Sequence, residues 1–260
     1  MQFVDTHCHL DYRTYEHDIE EVIRRAVDQG VTRIFVPGLN IDSSRAVVRL
    51  AERFPEVYAA VGVHPGDVDT WQPELLSEFE SLVQYEKVVA IGEIGLDYYH
   101  RQDNIHLQKE MLEFFLGFAS QHDKPVILHS RNCLHDLISI VEKHSLNFME
   151  NRLRGVFHAF EGNLDDAEHL VSQGYYLGVG GPVTYKNAAI KQQVFSKIDL
   201  SQILLESDGP FLAPQSHRGQ RNEPAWIPII AKKLAELRHC DIKEVAEVTT
   251  CNAKNLFYWN

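Results

Sequence analysis

Eight short runs rich in aliphatic and β-branched residues recur along the chain, at 3–9, 31–37, 57–64, 88–96, 125–130, 154–160, 175–181 and 203–208. Between them, apolar residues return every three or four positions, the period of a helix with one buried face. From Asp103 to His122, Met111, Phe115 and Phe118 fall four and three apart, which predicts a helix whose aromatic stripe is packing surface. Asp103 and Asn163 stand where N-caps belong, and Pro224 suits a first helical turn. Several runs are continuously apolar, as in Val88-Val89-Ala90-Ile91 and Ile203-Leu204-Leu205. Such runs predict parallel strands covered on both faces rather than half-solvated antiparallel ones. Strand and helix alternate with no Pro/Gly/Ser-rich linker, which predicts an α/β protein: one domain over residues 1–260 closed as a (β/α)8 TIM barrel. Residues 224–260 would supply the last helix and one more. An open doubly wound sheet is the competing architecture, but no Gly-rich phosphate loop follows the first strand.

Composition narrows the class. At 260 residues, 44% hydrophobic and 24% charged, the chain has the balance of a globular protein with a large core. No apolar run approaches the roughly 20 residues of a membrane span, and the N-terminus lacks the pattern of a secretory signal. Cys8, Cys133, Cys240 and Cys251 show no paired spacing, which predicts reduced thiols in a cytoplasmic protein. A formal net charge of −12 argues against broad binding of duplex DNA, which uses a basic face. Attraction of a polyanion would have to be local.

Chemistry concentrates at the C-terminal ends of the predicted strands, where a barrel of this kind places its active site. The first run ends in His7-Cys8-His9. Residues two apart share a face of a strand, so both imidazoles converge while Cys8 turns away into packing. The third run ends Gly62-Val63-His64-Pro65, the fourth Gly92-Glu93-Ile94-Gly95-Leu96-Asp97 and the fifth His129-Ser130-Arg131. The sixth ends His158-Ala159-Phe160 and the eighth Glu206-Ser207-Asp208. A lone histidine is ordinarily a satisfied core residue, and a lone carboxylate at a strand end is ordinarily a helix cap. Neither explains His7, His9, Glu93, His129, His158 and Asp208 entering one mouth, because so many ionisable groups are costly to bury without a cation. Imidazole and carboxylate together suit Zn, Mn or Fe, and carboxylate with water extends the range to Mg.

A pair of divalent ions would outweigh the charge of Glu93 and Asp208 and leave the mouth locally positive, suited to a phosphate or to a carbonyl developing negative charge. Such ions lower the pKa of bound water from about 15.7 to roughly 7, whereas no Gly-x-Ser-x-Gly elbow supports a serine nucleophile. Metal-assisted hydrolysis is the expected reaction.

These strand-end motifs, together with Asp5-Thr6 before the first histidine and Arg218-Gly219-Gln220-Arg221-Asn222-Glu223-Pro224 late in the chain, resemble the TatD family of metal-dependent deoxyribonucleases over nearly the whole length. The resemblance implies a TIM barrel, one to three divalent ions, and hydrolysis of phosphodiesters, usually in DNA and often in single strands from the 3′ end. Carried across by motif, His7 and His9 bind one metal, His129 and His158 another, and Glu93 bridges them; two ions, Mg, Mn or Zn, are expected. Asp208 would bind metal and orient or deprotonate the attacking water, with Glu206 on the same strand face and Asp5 and Asp97 steadying ligands. His64, Arg131, Arg218 and Arg221 are candidates for holding phosphate, since the arginine fork can donate two bonds to one phosphate. Tyr98 and Tyr185 are candidates for stacking a base. Related barrels that cleave amides and esters bridge their metals with a carboxylated lysine on the fourth strand; here Glu93 stands at its C-terminal end and Lys87 at the other. The alternative substrate is a small ester, amide or lactone, or an aminoacyl ester on tRNA. DNA is the expected partner, and nothing in the sequence calls for a membrane or an obligate protein partner.

Overall fold

Each of the eight apolar runs forms a parallel strand, and the segments between them form helices, in a computed structural model that describes residues 1–147 and 153–259. The strands are β1 (Phe3–Asp5), β2 (Val31–Pro37), β3 (Val57–Val61), β4 (Val88–Asp97), β5 (Val126–Arg131), β6 (Gly155–Phe157), β7 (Tyr176–Val179) and β8 (Ile203–Leu205). They follow chain order in the sheet. The α-helices are α1 (Ile19–Asp28), α2 (Ile41–Arg53), α3 (Leu76–Leu82), α4 (Ile105–Gln121), α5 (Leu134–Asn147), α6 (Leu164–Ser172), α7 (Ala189–Lys197), α8 (Ile227–Arg238) and α9 (Ile242–Phe257). No helix among the described residues is long and apolar enough to cross a membrane.

The chain divides into two compact units, one of residues 1–36 and 162–255, the other of residues 37–161 and 256–260. In the first, β7 pairs with β8 and β1 with β2. Segments 6–9 and 206–209 join β1 to β8: Thr6 N donates to Leu205 O at 3.0 Å, Asp208 N to His7 O at 2.8 Å and His9 N to Gly209 O at 2.7 Å. The expected strand 3–9 is therefore shorter as a regular strand. Its last residues leave the even ladder and are held one bond at a time.

In the second unit β3, β4, β5 and β6 pair in succession. All ten residues of β4 are buried, as its apolar run requires. Lys87, just before β4, donates from Nζ to the carbonyls of Ala51, Phe54 and Val57 at 2.8, 2.7 and 3.1 Å, which closes three backbone acceptors at the N-terminal end of the strands.

Helix α4 matches the predicted 103–122 with its start moved in. Asn104, not Asp103, is its N-cap residue, and Asp103 instead pairs with Arg101 at 3.0 Å. Phe115 and Phe118 are buried, and Phe115 meets Trp71 and Phe79 at ring-centroid distances of 5.5 and 5.3 Å. Asn163 caps α6 as expected, its side chain accepting from Asp166 N while Asp166 returns a bond to Asn163 N. Pro224 opens a 3-10 turn, Pro224–Trp226, that leads directly into α8, and α9 is the additional helix.

Candidate active site

In the first unit the junction of β1 and β8 builds a compact group of candidate ligands. His7 and His9 lie on one side of their segment with Nε2 atoms 3.2 Å apart, and His9 Nε2 is 3.7 Å from Asp208 Oδ1. Between them Cys8 is fully buried, its thiol 3.6 Å from Gly209 O, so it packs behind the imidazoles. Asp208 has φ of 56°, a left-handed state that a non-glycine residue holds only where its surroundings impose it. Asp5 supplies part of that constraint: its Oδ1 accepts from His7 N at 3.2 Å and from Ser207 N at 2.8 Å, tying the two ligand segments together. Burial pushes the Asp5 carboxyl up to about 7, because its surroundings disfavour a second buried charge. Glu206 is also buried and turns towards β7, where a Cβ on Gly178 would lie 2.3 Å from its Oε2. Only glycine leaves room there for the carboxylate.

In the second unit β4 and β5 bring Glu93 and His129 together. His129 Nδ1 is 2.7 Å from Glu93 Oε1 and its Nε2 is 3.4 Å from Asp97 Oδ2. The strands can approach this closely because residue 95 is glycine, with φ of 148°; a Cβ there would come within 2.1 Å of His129 O. His158 Nε2 and His64 Nε2 lie 3.6 and 3.8 Å from the same Glu93 oxygen. Burial works against a charged His129, but its bonds to Asp97 and Glu93 prevail and raise it to about 9. Burial also opposes ionisation of Asp97, yet hydrogen bonds from His129 and His100 hold its carboxyl well below the usual range. His64 moves the other way, to about 3, through burial and the neighbouring His129. His129 thus faces a buried carboxylate at each ring nitrogen, a concentration of negative charge that a divalent cation would meet more fully.

The donor atoms of His7, His9 and Asp208 lie within 4.8 Å of one another, and so do those of His64, Glu93 and His129. Nitrogen and carboxylate oxygen donors converging at that range fit a divalent transition metal. Sequence reasoning placed His64 with the phosphate-holding residues; the structure sets it among the candidate ligands, its ring centroid 4.5 Å from that of His129. A strand-end histidine followed by proline was the available signal.

The three arginines differ. Arg131 donates to Glu161 and lies 5.3 Å over the Tyr99 ring. Arg221 is bound by both Asp18 oxygens at 2.8 and 2.6 Å and also donates to Thr14 O. Arg218 is exposed and lies 4.8 Å over the ring of Tyr185; among the described residues it forms no ion pair. Tyr98, the other aromatic candidate, donates from its hydroxyl to Asp136 at 2.8 Å. Sequence reasoning missed Tyr12 and Phe211, whose rings lie 5.4 and 6.1 Å from His9. Their signal was proximity to the ligands, three residues after His9 and three after Asp208, with no periodicity to mark it.

Comparison with known proteins places the chain in a family. The family described as TatD related DNase matches residues 4–258. The protein named uncharacterized metal-dependent hydrolase YabD, from Bacillus subtilis (strain 168), is 37% identical over 256 residues, covering 98% of this chain and 99% of the relative. The crystal structure of YjjV, a TatD homologue from Escherichia coli K12, superposes with a TM-score of 0.92 at 35% identity, covering 99% of this chain and 98% of that one. A TatD-family hydrolase structure from Entamoeba histolytica, 22% identical, shares the fold with a TM-score of 0.87 over 100% of this chain and 99% of its own. With the family model, sequence identity and fold in agreement over essentially the full length, the chain belongs to the TatD family of metal-dependent hydrolases and has its (β/α)8 fold.

Proposed function

We propose that this protein is a deoxyribonuclease that cuts phosphodiester bonds from an end of single-stranded or short DNA. The observation that carries the reading is the pairing of carboxylate with imidazole in two groups: Asp208 with His7 and His9, and Glu93 with His129, His158 and His64. In this reading each group holds one divalent ion, Mg, Mn or Zn. Ions bound there would supply a nucleophilic water at neutral pH and offset the charge gathering on the phosphate.

The chain's own groups then have separable roles. Asp208, held in its left-handed turn, orients the attacking water and accepts its proton at a carboxylate oxygen. Glu93 sets the position of its three imidazoles, and Asp97 steadies His129 from the far ring nitrogen. Glu206 lines the same strand end and supports the geometry around Asp208. Arg218 is the best placed of the proposed phosphate-holding residues because its guanidinium is exposed and its charge is not met by a carboxylate. Arg131 and Arg221 would have to leave Glu161 and Asp18 to join it.

The test is hydrolysis of end-labelled single strands with Mg or Mn. Wild-type protein should release short products that disappear with chelator. Asp208→Asn should lower kcat by about 100-fold or more, within the range of general-base losses that begins near 100-fold. Metal-dependent turnover of carbonyl esters with no strand cleavage would overturn the reading in favour of a small-ester or aminoacyl-ester hydrolase.

A further inference from the structure

The turn that follows Asp208 carries two large apolar side chains into solvent. Phe211 and Leu212 are 44% and 46% exposed, and Leu212 adopts φ of 50°. A branched apolar residue adopts that backbone only when its neighbours over-determine it. They do so here. Phe211 N donates to Asp208 O at 2.9 Å, and the buried Asn222 donates from Nδ2 to Ser207 O at 2.5 Å and Phe211 O at 2.6 Å. A lone exposed apolar residue would need no explanation, but here two are adjacent and fixed. The fold spends hydrogen bonds on holding an apolar pair in the open beside a candidate ligand group.

The pair does not stand alone. The Phe211 ring meets Tyr12 edge to face, with centroids 5.2 Å apart and planes at 87°, and both rings adjoin the imidazole of His9. The same loop contributes the exposed cation: Tyr185 donates from its hydroxyl to Ala213 O at 2.9 Å, and Arg218 lies over the Tyr185 ring. An aromatic face beside the candidate metal ligands, with an exposed guanidinium on the same loop, matches a substrate that joins a planar base to a phosphate. Resting on the nuclease reading above, we propose that Phe211, braced by Tyr12, is a specificity-determining platform on which the base next to the cleaved phosphodiester stacks. A base paired within a duplex has no free face to offer, so the platform also favours unpaired ends.

The experiment compares strands that end in an ordinary nucleotide with strands whose terminal nucleotide is abasic, modified at the 3′ or the 5′ end in separate substrates. Wild-type protein should favour the base-bearing strand in kcat/KM. In Phe211→Ala that preference should fall by roughly 10- to 100-fold, the range of one lost base–aromatic stack, and Phe211→Trp should restore it. A wild-type preference near one, or a Phe211→Ala loss shared equally by both strands, would overturn the platform and leave the nuclease reading standing. If wild-type protein cleaves neither strand, the nuclease reading fails, and fluorescence of a trinucleotide carrying 2-aminopurine at either end decides the platform. Quenching by wild type but not by Phe211→Ala upholds it, and equal or absent quenching in both overturns it.

Discussion

Arg221 shows how a residue of the right chemical type can be committed elsewhere. Its fork is closed on Asp18, and Arg25 joins the same carboxylate at 3.6 Å while bonding Glu223 at 2.7 Å. This network fastens the start of α1 to the segment before α8. Hydrogen bonds from Arg221 lower the Asp18 carboxyl below its ordinary value. Because the folded value lies below the unfolded one of about 3.9, the stabilisation is complete above that pH and is lost as pH falls through the folded value. Asp18→Asn should cost about 1 kcal/mol at pH 7, the upper end for a partly exposed pair. Urea denaturation at pH 7 and below pH 4 should show the difference between wild type and variant shrinking with acid. Residue types alone did not reveal this pairing, since Asp18 lies 203 positions from Arg221 in the chain. The candidate ligands were easier to propose: His7, His9, Glu93, His129, His158 and Asp208 lie at or near the ends of apolar runs, and that position is visible without coordinates.

At the scale of elements, the apolar runs located all eight strands but not where each ladder stops. The run at 154–160 is regular only over Gly155–Phe157, and that at 203–208 only over Ile203–Leu205. Ligands need side-chain directions that an even pleat does not provide, and residues Ala159 and Asp208 turn into left-handed backbone just past the strands. Pattern reading registers hydrophobicity and is blind to that departure. It served better for helices, whose buried faces obey a period; α4 began one turn position away from the expected cap because Arg101 engages Asp103. Phe115, read from periodicity as packing, is fully buried among Trp71, Phe79 and Phe118. Phe115→Ala should lower stability by about 3–5 kcal/mol, the usual cost of an aromatic cavity, measured by urea midpoint. Hydrolysis by the fraction that remains folded should be retained, because the stripe faces the core and touches no candidate ligand.

For the whole molecule, metal binding as proposed would be coupled to stability. Both candidate groups are assembled by folding, from segments as distant in sequence as His7 and Asp208, so ions bound there would favour the native chain over the unfolded one. At a free metal concentration about 100 times the dissociation constant, each occupied site adds about 2.7 kcal/mol, or roughly 5–10 °C in Tm for a chain of this size. Dialysis against chelator should lower the melting temperature by that amount per site, and adding back Mn or Zn should restore it. The fold was legible in the sequence, and the candidate ligands could be proposed with it, while the substrate was not. Ligands are tied to strand ends by the architecture, whereas Phe211 and Arg218 sit on a loop whose path no periodicity announces.

Cys8 lies between two histidines, and its burial has a practical consequence. Cys133 is likewise buried, its thiol donating to Leu96 O at 2.9 Å in the second unit, whereas Cys251 is exposed. Burial holds both inner thiols well into their protonated, unreactive form. Each unit therefore conceals one sulfur close to its own ligand group. Alkylation at position 8 or 133 is a chemical clock for the opening of that unit, already present in the natural sequence.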